Sequence, residues 1–103
     1  MTVSVSAPDE RPLWDLRLYV AGQSPKSLHA VANLRRICDE HLDGNFEIEI
    51  VDLIDDPDRA RGDDILAIPT LVRRSPRPQC KLIGDLSNTQ LVLAGLRVEP
   101  WSQ

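Results

Sequence analysis

Two segments with the alternation of β-strands flank one segment with the periodicity of an amphipathic helix. Apolar and polar residues alternate from Asp15 to Val20 and again from Phe46 to about Leu53. The three segments together occupy about forty residues, which suits a right-handed βαβ unit with parallel strands. This pattern constrains the chain to an α/β fold.

The helix between the two strands has sequence signals at both of its ends. Ser24 is a favoured N-cap residue and Pro25 suits the first position of a helix, so we expect the helix to begin there. Apolar residues then recur mostly at steps of three and four, and the pattern ends near Asp43 and Gly44. The helix is therefore expected to bury one face against the strands.

The second half of the chain has weaker local signals than the first. Asp56 and Pro57 predict the start of a helix, but the charged residues that follow and Gly62 keep that helix short. Pro69 interrupts the apolar run over residues 65–72, and a proline cannot donate a hydrogen bond within a central strand. This half therefore has little local preference for one structure.

A hairpin and a helix are expected to complete the fold. A proline-rich turn over residues 75–78 precedes a short strand over residues 80–83. Ser87 begins a capping box with Gln90, and the apolar residues that follow favour a final helix. The predicted order is βαβαββα in a single domain.

Length and charge limit the functions that such a chain performs. The chain has 103 residues, which suits one small domain over residues 15–97, with a flexible N-terminal tail over 1–14 and a C-terminal tail over 98–103. Its net charge of -4 opposes general binding to nucleic acid or to an anionic membrane surface. No apolar run is long enough to span a bilayer, so we expect a cytoplasmic protein.

Four basic residues, Arg73, Arg74, Arg77 and Lys81, form a cluster in and around the predicted hairpin. Aromatic residues that would stack on bases are absent from this segment, which disfavours a nucleic-acid partner. Two interpretations remain open. The charges either protect a solvated edge strand from pairing, or they form a docking surface for another protein. The four residues are the candidate partner contacts.

Four motifs, in register from Leu16 to Leu96, identify a resemblance to a known family. They are Leu18-Tyr19-Val20-Ala21-Gly22, Ser24-Pro25-Lys26-Ser27, Ile65-Leu66-Ala67-Ile68-Pro69-Thr70-Leu71 and Ile83-Gly84-Asp85-Leu86-Ser87. The chain resembles the KaiB family of circadian clock proteins. Its predicted element order resembles that of a thioredoxin-like domain, with Ile68-Pro69-Thr70 similar to the proline loop of that fold.

The resemblance implies a non-catalytic protein that binds and regulates the ATPase ring of a KaiC-type clock protein. It also implies two folds, which share the first βαβ unit. The ring-bound monomer has the thioredoxin-like order βαβαββα, and the free dimer or tetramer has the order βαββααβ. A histidine kinase or another clock output protein is a further partner that the resemblance implies.

Five residues are candidates for controlling the exchange between the two folds: Pro69, Pro76, Pro78, Gly95 and Arg97. Bonds that precede proline isomerise over tens to hundreds of seconds, so a refolding step that includes them would make binding slow. Gly95 lies near the expected helix end, and Arg97 stands where well-known family members have an aspartate. A cation near a helix C-terminus is favourable, so we expect the free chain to have the order βαβαββα.

The principal alternative function is a thioredoxin-like enzyme that acts on thiols or glutathione. Such an enzyme needs a low-pKa cysteine at the start of the first helix, where this chain has Ser24 and Pro25. Cys38, His41 and Cys80 would supply three metal ligands where a structural zinc site usually has four. We therefore expect reduced, partly buried thiols, with no catalytic residue, metal or cofactor. A stress-response KaiB homologue and a sensor domain separated from a histidine kinase remain as further alternatives.

Overall fold

The structure is a computed structural model, and it describes residues 13–42 and 44–97. The predicted tails lie outside the described residues over 1–12 and 98–103. The elements of the first half are β1 (Trp14–Val20), α1 (Pro25–His41) and β2 (Phe46–Asp52). Those of the second half are a 3₁₀ helix (Pro57–Arg61), β3 (Thr70–Ser75), β4 (Cys80–Ile83) and α2 (Thr89–Leu96).

The first half forms the predicted βαβ unit. β1 and β2 are parallel, with Leu18 opposite Ile50. The side chain of Ser24 caps α1 by accepting a hydrogen bond from the backbone N–H of Ser27, and Pro25 is the first helical residue. The residues that α1 buries are Ser27, Ala30, Leu34, Ile37 and Cys38. Leu34 and Cys38 belong to the predicted apolar stripe, but Leu28 is 52% exposed, so the buried face is rotated from the one that the apolar pattern predicts.

β1 begins one residue earlier than predicted, at Trp14, a residue that was expected to lie in the N-terminal tail. The backbone N–H of Trp14 donates to the carbonyl of Asn45 at 3.0 Å, and Phe46 is its partner in β2. The strand therefore extends because its neighbour provides a partner, which alternation within the segment itself does not reveal.

Two of the predicted elements in the second half have different bounds. Only the part of the apolar run over residues 65–72 that follows Pro69 is in a strand, and this strand continues to Ser75. The proline cannot donate a hydrogen bond within the ladder. The helix expected at Asp56 is a 3₁₀ helix of five residues, none of which is buried. Its sequence has no apolar stripe that would hold a longer helix against the sheet.

The cap of α2 is also one residue away from its predicted position. The side-chain oxygen of Asn88 accepts a hydrogen bond from the backbone N–H of Leu91 at 3.1 Å. The backbone N–H of Ser87 instead donates to the Asp85 carboxylate at 3.1 Å. Asn88 is thus the N-cap, and the capping box that Ser87 was predicted to begin does not form.

The four strands form one mixed sheet in the order β2-β1-β3-β4. β3 is antiparallel to both β1 and β4. Both α-helices cover one face, where their buried residues pack against Leu16, Leu18 and Leu71. A smaller cluster centred on Tyr19 and Val72 lies on the opposite face. The predicted thioredoxin-like fold class is confirmed, and this structure does not have the alternative order βαββααβ.

Candidate protein-docking surface

The predicted basic cluster lies on the β3–β4 hairpin, and three of its four members are exposed. Arg74 and Arg77 line a polar pocket of ≈ 660 Å³ together with Asp15, Pro78 and Gln79. Neither arginine forms an ion pair with another residue of the described ranges. Two exposed guanidinium groups beside a polar pocket suit an acidic protein surface.

Lys81 is the third exposed member of the cluster, and it lies on β4. Its ammonium group donates to the backbone carbonyl of Asp64 at 3.2 Å. Lys81 therefore ties the hairpin to the loop that precedes β3, in addition to contributing charge to the surface.

Arg73 is the buried member of the basic cluster. It lies opposite Leu16 in the sheet, so its side chain is on the face that the helices cover, and it is 2% exposed. Its guanidinium donates to the backbone carbonyls of Leu96, at the end of α2, and of Pro78, in the hairpin turn. The guanidinium also lies 5.5 Å from the centre of the Trp14 ring. The prediction that Arg73 contacts a partner is therefore wrong for this fold.

Gly95 and Arg97 shape the C-terminal end of α2. A Cβ atom on Gly95 would overlap the side-chain methyl groups of Leu82, so glycine allows α2 to lie close to β4. Arg97 is the C-cap and has a left-handed backbone with φ of 61°, and its N–H donates to the carbonyl of Ala94 at 3.1 Å. This is the conformation in which helices commonly end, although glycine is the residue most often found there.

The three candidate prolines lie at the two ends of the hairpin. Pro69 is buried just before β3, and its carbonyl accepts a hydrogen bond from the N–H of Gly84 at 3.0 Å. Pro76 and Pro78 lie in the turn between β3 and β4, and all three prolyl peptide bonds are cis.

A polar cluster that the sequence analysis did not predict lies on the face of the sheet opposite the two α-helices. The hydroxyl of Tyr19, which is fully buried, donates to Oδ2 of Asp63 at 2.6 Å. Nη1 of Arg17 lies 3.3 Å from that hydroxyl and 3.4 Å from the same carboxylate oxygen. Nε2 of Gln79 donates to Oδ1 at 3.3 Å. The Asp63 carboxylate thereby joins β1 to the second half of the chain.

The pKa shifts of Asp63 and Tyr19 argue against a role of this cluster in proton transfer. Burial alone would raise the pKa of Asp63, but the hydrogen bond from Tyr19 and the charge of Arg17 hold it below its ordinary value of 3.8. Burial, and then the hydrogen bond to Asp63, raise the pKa of Tyr19 above its ordinary value of 10.0. A general acid or base works best with a pKa near the operating pH, and both shifts move away from neutrality.

A second set of ion pairs connects the 3₁₀ helix to the sheet. Glu49 of β2 accepts hydrogen bonds from Nε of Arg17 at 2.9 Å and from Nη2 of Arg59 at 3.0 Å. The bond from Arg59 is the main cause that lowers the pKa of Glu49. Alternation places Arg17, Tyr19 and Glu49 on one face, but no local signal identifies Asp63 or Arg59 as their partners.

The two cysteines lie apart, in α1 and β4, and both are free thiols. Cys38 is fully buried, and burial followed by the charge of Asp39 raises the pKa of its thiol to about 12. The thiol of Cys80 donates to the carbonyl of Gly95 at 3.5 Å. A raised pKa is the opposite of what a catalytic cysteine requires. The part of the chain that the structure describes contains no group of three His, Cys, Asp or Glu side chains that could hold a metal ion.

An apolar groove of ≈ 430 Å³ lies between β4 and the start of α2. Its lining includes Leu82, Ile83, Leu91 and Val92. Ile83 and Leu91 are 71% and 67% exposed, although both are large apolar residues. β4, which lines this groove, is an edge strand of the sheet.

Comparison with known families identifies the family to which the chain belongs. The model of the KaiB domain matches residues 17–98, from β1 to the end of α2, and therefore includes both halves of the fold. The chain belongs to the KaiB family. The resemblance inferred from the four sequence motifs is confirmed.

Named relatives agree with this assignment. The circadian clock protein KaiB3 of Synechocystis sp. is 45% identical to this KaiB chain over 85 residues, which are 82% of this chain and 83% of that protein. The circadian clock oscillator protein KaiB of Microcystis aeruginosa is 43% identical over 81 residues, which are 79% and 78% of the two chains. Membership of the family supports a role in a circadian clock.

Solved structures resemble this KaiB chain in fold. The N-terminal domain of Synechococcus elongatus SasA has a TM-score of 0.69 and 21% identity, and the match covers 94% of this chain and 95% of that domain. Mitochondrial thioredoxin 3 from Saccharomyces cerevisiae has a TM-score of 0.65 and 17% identity, over 82% and 77% of the two chains. These likenesses establish the thioredoxin-like fold and do not transfer an activity. Neither α-helix within residues 13–42 and 44–97 has both the length and the apolar character needed to cross a membrane.

Proposed function

We propose that this KaiB-family chain is a non-catalytic timing protein that acts in the cytoplasm, where it binds and regulates the ATPase ring of a KaiC-type clock protein. The observation that carries the proposal is the KaiB-domain match over residues 17–98. The chemistry of the thiols supports it, because the start of α1 has Ser24 and Ser27 where a thiol enzyme has cysteines, and the pKa of Cys38 is raised.

The hairpin side of the molecule is the docking surface in this proposal. Arg74 and Arg77 supply exposed positive charge, which speeds the encounter with an acidic surface and helps to orient it. Ile83, on β4, and Leu91, on α2, supply exposed apolar area. Interfaces between proteins combine apolar and charged residues.

The proposal includes exchange of the free chain with the alternative order βαββααβ by refolding of the second half. The weak local structure of that half supports this step. Its 3₁₀ helix buries no residue, and its α2 has eight residues, of which Val92 and Leu96 are buried. The first half, by contrast, has a helix of seventeen residues with five buried. Refolding therefore disrupts fewer contacts in the second half.

The function is tested by mixing the chain with its cognate KaiC-type ring in the presence of nucleotide and measuring the complex by biolayer interferometry. We expect the wild-type chain to bind, and we expect the double variant Arg74→Gln/Arg77→Gln to bind about tenfold more weakly with a smaller dependence on salt. A matched double variant, Lys26→Gln/Arg35→Gln, removes the same charge from exposed positions of α1 and should bind within about twofold of wild type.

Two results separate the parts of the proposal. If the wild-type chain forms no complex with the nucleotide-loaded ring, the function is wrong. If it forms a complex but both double variants weaken it equally, the effect is one of net charge, and the hairpin is not the docking surface.

A further inference from the structure

We propose that Arg73 is a latch that holds α2 on the sheet and thereby maintains the order βαβαββα. Arg73 lies on β3, and its guanidinium bonds the carbonyl of Leu96, at the end of α2, and that of Pro78, in the hairpin turn. One buried side chain therefore connects the strand, the turn and the helix of the second half. The inference concerns the free chain and does not depend on ring binding.

Arg73 can hold α2 because its buried guanidinium needs negative charge, and the last carbonyls of α2 need hydrogen-bond donors. Burying a cation is unfavourable unless negative charge faces it. Within residues 13–42 and 44–97, no carboxylate forms an ion pair with Arg73. The C-terminal carbonyls of a helix carry partial negative charge and lack partners within the helix, and that of Leu96 is one of them. The π face of Trp14, 5.5 Å away, supplies further negative potential.

The contacts of Arg73 indicate that it stabilises the end of α2 and not the fold as a whole. Nε of Arg73 is buried and has no hydrogen-bond partner among the described residues, so the guanidinium is not fully satisfied. Replacing Arg73 by an apolar side chain leaves the carbonyls of Leu96 and Pro78 without their partner. We expect the loss of stability to be concentrated in the two segments that carry these carbonyls.

α2 is sensitive to this loss because it is short. A helix of eight residues is not stable in isolation, so it persists through its contacts with the rest of the protein. Those contacts include Val92 and Leu96 in the core, the close approach of Gly95 to Leu82, the bond from the Cys80 thiol to the Gly95 carbonyl, and the bond from Arg73 to the Leu96 carbonyl. The bond from Arg73 is made by a buried charged group at the last residue of the helix.

Amide hydrogen exchange on the free chain tests the latch. In Arg73→Met we expect α2 amides to exchange about 10- to 100-fold faster than in wild type, which corresponds to the loss of one or two charge-assisted hydrogen bonds. Amides of β1 and β2 should remain within about threefold of wild type, since those strands are paired with each other. The neighbouring exposed residue supplies the control, and Arg74→Met should exchange like wild type.

Arg73→Lys keeps the positive charge but replaces the planar fork with a single ammonium, so α2 should exchange at an intermediate rate. If Arg73→Met does not fold, the lysine variant carries the same comparison. Equal acceleration in β1 and α2 would show that Arg73 is a general stabiliser and would overturn the latch. Unchanged exchange in α2 would also overturn it. Ring binding plays no part in these measurements, so their failure is distinct from failure of the proposed function.

Discussion

At the scale of single residues, Asp63 has the most consequential position in the described chain. Its carboxylate accepts hydrogen bonds from Tyr19 of β1 and from Gln79 of the hairpin turn, and Arg17 lies beside it. Its pKa is held below its ordinary value because these partners outweigh the effect of burial. The ionised form of Asp63 therefore stabilises the folded chain.

This lowered pKa makes the stability depend on pH in a defined direction. Between the folded and unfolded pKa values of Asp63, the unfolded chain binds more protons, so the contribution is present above about pH 4 and is lost as the pH falls further. Asp63→Asn should lower the free energy of unfolding at neutral pH by about 1–3 kcal/mol. The difference between variant and wild type should shrink on acidification, as measured by urea unfolding at about pH 7, pH 5 and pH 3.

Asp55→Asn is the matched control for this experiment, because Asp55 is an exposed carboxylate in the same loop. It should change the free energy of unfolding by less than about 0.5 kcal/mol. A loss on Asp63→Asn that stays constant from neutral to acid pH would contradict an electrostatic role for Asp63.

At the scale of secondary-structure elements, the packing of α2 on β4 depends on a missing side chain. Alanine is favoured over glycine inside a helix by about 1 kcal/mol, so propensity alone predicts that Gly95→Ala stabilises the chain. Its Cβ would, however, overlap the methyl groups of Leu82. We therefore expect Gly95→Ala to lower the free energy of unfolding by about 1–3 kcal/mol, measured by urea unfolding.

Two further variants isolate the cause. Ala94→Gly, at the preceding exposed position, should lower the free energy of unfolding by about 1 kcal/mol through propensity alone. In a Leu82→Ala background, which removes the obstructing methyl groups, Gly95→Ala should become neutral or stabilising. If Gly95→Ala stabilises the chain with Leu82 present, close packing is not the reason for glycine.

The elements of the first half could be predicted from sequence because their signals are local. Ser24 and Pro25 act within one turn of the helix, and the structure has α1 starting where they predict. The buried face of α1 differs in part from the apolar stripe of the sequence, because packing against the sheet decides which residues it covers. β3 shows why the hairpin could not be predicted as well. β3 starts at Thr70, directly after Pro69, and this start places Arg73 in the ladder, on the face that the helices cover. That start depends on how Pro69 fits against β4, which is a tertiary property.

In the candidate site, too, some residues could be predicted from local sequence and others could not. Charge and hairpin position were enough to predict Arg74, Arg77 and Lys81 as exposed basic residues, and whether they contact a partner stays a prediction. The bond between Tyr19 and Asp63 was missed because it joins positions 44 residues apart, and nothing near Asp63 distinguishes it from the other aspartates of its loop.

At the scale of the whole molecule, the free chain has the order βαβαββα that the family resemblance attributes to the ring-bound form. Association with a KaiC-type ring should therefore need no prior refolding, and its observed rate should rise in proportion to ring concentration. Stopped-flow mixing with the ring in excess measures this dependence. A rate that becomes independent of ring concentration would contradict the prediction, because it would show that a slow conformational step precedes binding.

The long separation between Tyr19 and Asp63 also has a consequence for the order of folding. Closing a loop costs more conformational entropy as the loop lengthens, and α1 shortens the loop between β1 and β2 by forming locally. Once those strands have paired, the loop between β2 and Asp63 has only about ten residues, so closing it costs little conformational entropy. The first half then forms before the second half packs against it, so the arrangement of the second half is the last to be set during folding.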